Sequence, residues 1–74
     1  MWEIGTMKVG KTEYKFWIKA FEEGSYFGIN EGRISKLMIK RGDEIVCNYD
    51  RGWDIHPTDT EAKKVYNQLL KSRN

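Results

Sequence analysis

Apolar and polar residues alternate through Thr12–Phe21, TEYKFWIKAF, with the period of two that marks a β-strand. Tyr14, Phe16, Ile18 and Ala20 fall on one face, and Trp17 and Phe21 on the other, with Lys15 and Lys19 between them. A strand resting on a core needs one apolar face; this one has a second, aromatic and basic together. WEIGTMKV (2–9) reads as a preceding strand. Gly10-Lys11 then forms a two-residue type II′ hairpin loop, because glycine suits the positive φ of the first loop position. That loop sets a register: Val9 opposite Thr12, Lys8 opposite Glu13, Met7 opposite Tyr14, Gly5 opposite Phe16, Ile4 opposite Trp17 and Trp2 opposite Lys19. In this register Gly5 leaves room for the Phe16 ring, and Lys8 and Glu13 make a correctly signed cross-strand pair. Trp2, Ile4, Trp17 and Phe21 gather on one face, flanked by Lys15 and Lys19.

Residues 22–33, EEGSYFGINEGR, break the alternation. Gly24, Gly28, Gly32 and Asn30 allow positive φ in tight turns, and Tyr26, Phe27 and Ile29 are expected to tuck inward. Alternation returns in ISKLMIK (34–40) and EIVCNYD (44–50), a second hairpin. Its pattern favours a three-residue loop, Arg41-Gly42-Asp43, with Ile39 opposite Ile45, Leu37 opposite Cys47 and Ser35 opposite Tyr49. A two-residue loop that sets Ile39 against Glu44 wastes the pattern. Arg51-Gly52-Trp53 reads as a connector, and Pro57 disfavours helix at His56. Beyond it the period changes: Ala62, Val65, Tyr66, Leu69 and Leu70 form one helical stripe. Thr58 is the expected N-cap, with Glu61 completing a capping box. Asp59 and Glu61 lie near the positive end of the helix dipole, Lys71 and Arg73 near the negative end.

These elements predict one α+β domain over residues 1–74, a four-stranded antiparallel β-meander followed by one C-terminal helix packed on the Tyr14/Phe16/Ile18 face. A chain of 74 residues supports a single thin core, contributing on the order of 3–5 kcal/mol. The net charge of +2 decides little, so any nucleic-acid role must rest on a local patch. Cys47 is the single cysteine, which excludes an internal disulfide and fits a reducing compartment. The N-terminal residues lack a signal-peptide core, and no apolar run approaches the roughly 20 residues of a membrane span. The expectation is a soluble cytoplasmic protein that does not engage membranes.

Two regions carry candidate chemistry. With the three-residue loop, Arg33 and Arg51 are directly opposed across the last hairpin. Beside the glycines Gly28 and Gly32 they suggest an anion site, backbone N–H groups making a nest and guanidinium groups clamping a phosphate or carboxylate. The competing interpretation is that Asp50 or Asp54 neutralises each arginine and the glycines only shape turns. The second region is the Trp2, Lys15, Trp17, Lys19 face. Aromatics interleaved with lysines on a sheet stack bases and track phosphates; the same face suits a protein interface or a homodimer, or a small second core under the 22–33 loop. Cys47, His56 and Asp54 contain the residue types of a thiol nucleophile and its base. Cys47, however, is expected to face the core, where thiols are inert. One His and one Cys lack a third metal ligand, and no cofactor is expected. Arg41-Gly42-Asp43 spells an adhesion sequence but is ordinary turn chemistry.

The strings FGINEGRISKL (27–37) and NYDRGWD (48–54) resemble those of a family of small uncharacterised proteins from Gram-positive bacteria and their phages. The resemblance implies no activity; it implies a free-standing accessory protein of mobile-element origin. The expected function is therefore non-enzymatic binding, led by association with a protein partner or a second copy. Nucleic-acid or phosphate binding, through the Trp/Lys face or the Arg33/Arg51 cluster, is the alternative.

Overall fold

The computed structural model describes residues 2–74. Five strands lie in chain order in one antiparallel sheet: β1 (Trp2–Val9), β2 (Thr12–Ala20), β3 (Ile34–Arg41), β4 (Glu44–Asp50) and β5 (Trp53–Ile55). One helix, α1 (Thr60–Arg73), follows. The first hairpin has the register the two-residue loop demands, from Val9↔Thr12 to Trp2↔Lys19. Gly10 has φ +60°, as a type II′ turn requires of its first loop position. A Cβ on Gly5 would stand 2.6 Å from Phe16 Cζ, so glycine there does make room for the ring.

The sheet has five strands rather than four. Arg51 takes a left-handed turn conformation (φ +55°), and the chain doubles back so that Trp53 pairs with Tyr49 and Ile55 with Asn48. Three residues are too few for alternation to reveal a strand. The second hairpin also differs from expectation. Its loop is Gly42-Asp43, with Arg41 opposite Glu44 and Lys40 opposite Ile45. A bulge then shifts the register, setting Ile39 opposite Cys47 and Leu37 opposite Tyr49. The bulge places consecutive residues, Val46 and Cys47, in the core, while Ile45 turns outward. Gly42, at φ +61°, supplies the left-handed residue of the tight turn.

One core lies between the sheet and α1. Tyr14, Phe16, Ile18, Leu37, Ile39, Cys47 and Tyr49 present it from the sheet, and Ala62, Val65 and Leu69 from the helix. The helix rests on β1, β3 and β4. Residues 22–33 end in a single 3-10 turn, Ile29–Glu31. Ile29 is buried, as expected, but Phe27 is exposed and Tyr26 is 82 % exposed. The core residue Tyr49 donates its hydroxyl to Phe27 O (2.8 Å), and of the three apolar side chains only Ile29 reaches the core. Asn30 and Glu31 have positive φ, whereas Gly28 (φ −78°) and Gly32 (φ −92°) do not. Those two glycines are required by close approach instead: a Cβ on Gly28 would meet Gly32 O, and one on Gly32 would meet the Asn74 side chain. Asn74 Nδ2 donates to Ile29 O (3.0 Å), and its Oδ1 accepts from Ile34 N (3.0 Å), tying the helix C-terminus to the loop.

The helix cap is Asp59 rather than Thr58; its carboxylate accepts from Ala62 N (2.8 Å) and from Arg41 Nη1 (2.6 Å). Glu61 does not close a capping box. It accepts instead from the buried Tyr14 hydroxyl (2.7 Å), a better use of an acceptor beside a phenol with no access to water. The Ala62 N–H, and then Arg41, hold the Asp59 carboxyl below its usual range. Its ionised form therefore contributes stability at neutral pH, and that contribution is lost as pH falls through the depressed folded value. Asp59→Ala should lower the melting temperature at pH 7, and the gap to the parent should narrow on acidification. Thermal melts across a pH series measure both; a gap independent of pH would contradict this account.

Candidate functional site

The sheet face opposite α1 is open. Antiparallel pairing lays three rows across it: Trp2, Lys19, Lys36 and Asp50; Ile4, Trp17, Met38 and Asn48; Thr6, Lys15, Lys40 and Ile45. Trp2 is 52 % exposed and Ile4 61 %, and the 22–33 loop does not fold over them. A shallow groove of about 560 Å³ runs between Trp2, Ile4, Trp17 and Met38, with Lys36, Asn48 and Asp50 at its margin.

The β2–β3 register decides the electrostatics of this face. It opposes Lys15 to Lys40 and Lys19 to Lys36, with the Trp17/Met38 pair between the two lysine pairs. Lysines opposed across strands repel. Lys36 lies 3.6 Å from Asp50; among the described residues, Lys15, Lys19 and Lys40 have no carboxylate within ion-pair distance. The ammonium groups instead lie on rings: Lys15 over Trp17 (5.1 Å), Lys19 over Phe21 (5.7 Å) and Lys36 over Trp2 (6.0 Å). These contacts partly offset the repulsion and keep the Lys15, Lys19 and Lys36 amines beside aromatic surfaces.

Of the residues singled out in the sequence, Trp2, Lys15, Trp17 and Lys19 come together here. Gly28, Gly32, Arg33 and Arg51 are not part of these rows and do not form the expected arrangement. The true register sets Ser35 against Arg51, whose N–H donates to Ser35 O (2.9 Å); Arg33 lies outside the ladder, its carbonyl accepting from Phe21 N (3.0 Å). The amides of a nest are engaged inside the loop, Gly28 N on Ser25 O (3.0 Å) and Gly32 N on Ile29 O (2.8 Å). Among the described residues neither arginine is in an ion pair, so the carboxylate pairing considered for them is not formed.

Cys47 is fully buried, and burial pushes its thiol up to about 12, leaving no thiolate at neutral pH. His56 is exposed and stacks on Trp53 (4.3 Å between centroids), which also touches Tyr49 and Tyr66 and fastens β5 beside the helix. Among the described residues no three of His, Cys, Asp and Glu group to hold a metal ion. Nor is any helix long and apolar enough to cross a membrane. Lys36, Met38, Lys40 and Asn48 were missed as site residues because their alignment with β2 is set across a twelve-residue loop. The alternation Lys36-Met38-Lys40 was the available signal.

Comparison with known proteins adds one decisive finding, a match over residues 1–74 to a single uncharacterised family. The chain belongs to the family described as a domain of unknown function (DUF7678). Membership extends over the whole chain, so the sheet face, the loop and the helix all belong to the family's domain. No curated protein and no solved structure matches the chain.

Proposed function

We propose that this protein is a non-enzymatic binding module whose outer sheet face docks an acidic macromolecule. The supporting observation is the pair of lysine pairs, Lys15/Lys40 and Lys19/Lys36, opposed around a half-buried Trp17 on the open face. Lysines commonly protect sheet edges from aggregation, but β2 and β3 are interior strands. Their arrangement is unfavourable in the free protein and becomes favourable when an anion lies between them. The groove of Trp2, Ile4 and Trp17 supplies the apolar contact area. A second copy docked face to face would bring the lysine block against itself, so charge favours a different partner. The strings at 27–37 and 48–54 support an accessory role in Gram-positive bacteria or their phages, and the lone cysteine supports a cytoplasmic setting.

A photo-crosslinking residue tests the interface in cells of the native host. Placed at Ile4 it should give a discrete adduct, and placed at Lys63 on the exposed side of α1 it should not. The Ile4 adduct should disappear in a Lys15→Glu/Lys40→Glu background. Equal adducts at both positions, or an Ile4 adduct indifferent to charge reversal, would refute the assignment.

A further inference from the structure

Resting on that proposal, we infer that the acidic macromolecule is single-stranded nucleic acid, with bases stacked on Trp2 and Trp17 and phosphates held by the two lysine pairs. Three features select it over an acidic protein. First, the exposed apolar surface is built around indole rings, and ammonium groups already occupy ring faces at 5.1 Å on Trp17 and 6.0 Å on Trp2. A nucleobase taking the place of the ammonium gains a planar stack and frees the lysine for a phosphate. Carboxylate side chains would satisfy the lysines and leave the rings without a planar partner. Second, the charges flank the aromatics. Lys15 and Lys19 are four residues apart on β2, about 13 Å along the strand, with Trp17 midway; Lys40 and Lys36 repeat the spacing on β3. A strand laid along β2 and β3 places its backbone over both lysine pairs and its bases in the groove between. Third, the groove margin carries polar groups able to meet base edges. Asn48 lines the groove, and its amide nitrogen is engaged by Asp54 Oδ2 (2.9 Å), so the acceptor it can offer a base edge is its carbonyl oxygen. A duplex hides its base faces within the stack, so this surface suits unpaired strands.

The test is fluorescence anisotropy with the full chain and labelled single-stranded RNA and DNA of about twelve nucleotides. The same-length duplex serves as comparison. Both single strands should bind, the duplex at least tenfold more weakly. The logarithm of the affinity should fall linearly with the logarithm of salt, with a slope of about −2 to −3 if three or four phosphates are engaged. Lys15→Glu/Lys40→Glu should weaken binding at least tenfold and flatten that slope. Trp2→Ala, on an edge strand, should weaken binding roughly tenfold and leave the slope unchanged. Thermal melts check that each variant folds, and Lys19→Glu replaces the double variant if it does not. The inference is overturned by the absence of binding at about 50 mM salt, by equal affinity for duplex, or by variants that bind like the parent. If oligonucleotides fail while the charge-sensitive Ile4 adduct persists and proves to be protein, the binding-module proposal stands and the partner is an acidic protein.

Discussion

Gly28→Ala should unfold the 22–33 loop and lower the stability of the whole domain. The new Cβ would overlap Gly32 O and lie 2.8 Å from Gly32 C, both backbone atoms with no rotamer to move away. Gly32 cannot withdraw easily. Its carbonyl accepts from Ser25 N (3.1 Å), its N–H donates to Ile29 O (2.8 Å), and its other side is closed by Asn74. Relief therefore requires opening the loop, which extracts the buried Ile29 and breaks the Asn74 bonds to Ile29 and Ile34. Overpacking of this kind costs about 3 kcal/mol, and for a chain of this size that lowers the melting temperature by roughly 12–24 °C. Gly52→Ala is the control, since a Cβ there meets nothing within 4 Å and φ is not in the left-handed region. Thermal melts of the two variants, with hydrogen exchange at Ser25 and Glu31, read the difference. Equal melting temperatures would show that the loop rearranges freely.

Ile39→Ala should leave little folded protein at 37 °C. Ile39 is fully buried at the middle of the central strand, opposite Phe16 on one side and Cys47 on the other. Truncating a buried isoleucine costs about 2–5 kcal/mol, against a total of about 3–5 kcal/mol for a core of this size. Ile4→Ala, on the open face, removes the same side chain from a site 61 % exposed and should change stability little. Urea titrations of both variants measure the contrast. An Ile39→Ala loss below about 1 kcal/mol would mean that the core repacks around the missing atoms.

How far the molecule was legible in the chain varies with the length of the connection. The β1–β2 register followed from Gly10-Lys11 alone, because a two-residue loop leaves one pairing and alternation then assigns both faces. The second hairpin shows where that reasoning fails. Alternation in 34–40 and 44–50 favours one uninterrupted register with a three-residue loop, and the bulge at Val46 changes face in mid-strand, which no uninterrupted register can show. A bulge is held by its neighbours: here Thr58 N donates to Val46 O (3.0 Å), and β5 covers the edge of β4. Both partners come from a segment without period-two patterning. The helix stripe was visible, but its cap was displaced one residue because Glu61 is needed by Tyr14, 47 positions away in the chain.

The candidate face divides along the same line. The sequence by itself determined that Trp2, Ile4, Trp17, Lys15 and Lys19 share a surface, since one short loop joins the strands that carry them. Local patterning likewise determined the α+β class, the position of the helix and the burial of Cys47. Only the tertiary structure decided that this surface is uncovered, and that Lys36 and Lys40 are brought against Lys19 and Lys15. The same packing took Arg51 away from Arg33 and paired it with Ser35. The physical reason is that a short turn fixes its own strand pairing by backbone geometry. Pairing across residues 22–33 is fixed by where Ile29 and Asn74 anchor the loop, contacts that exist only once the helix has packed on the sheet.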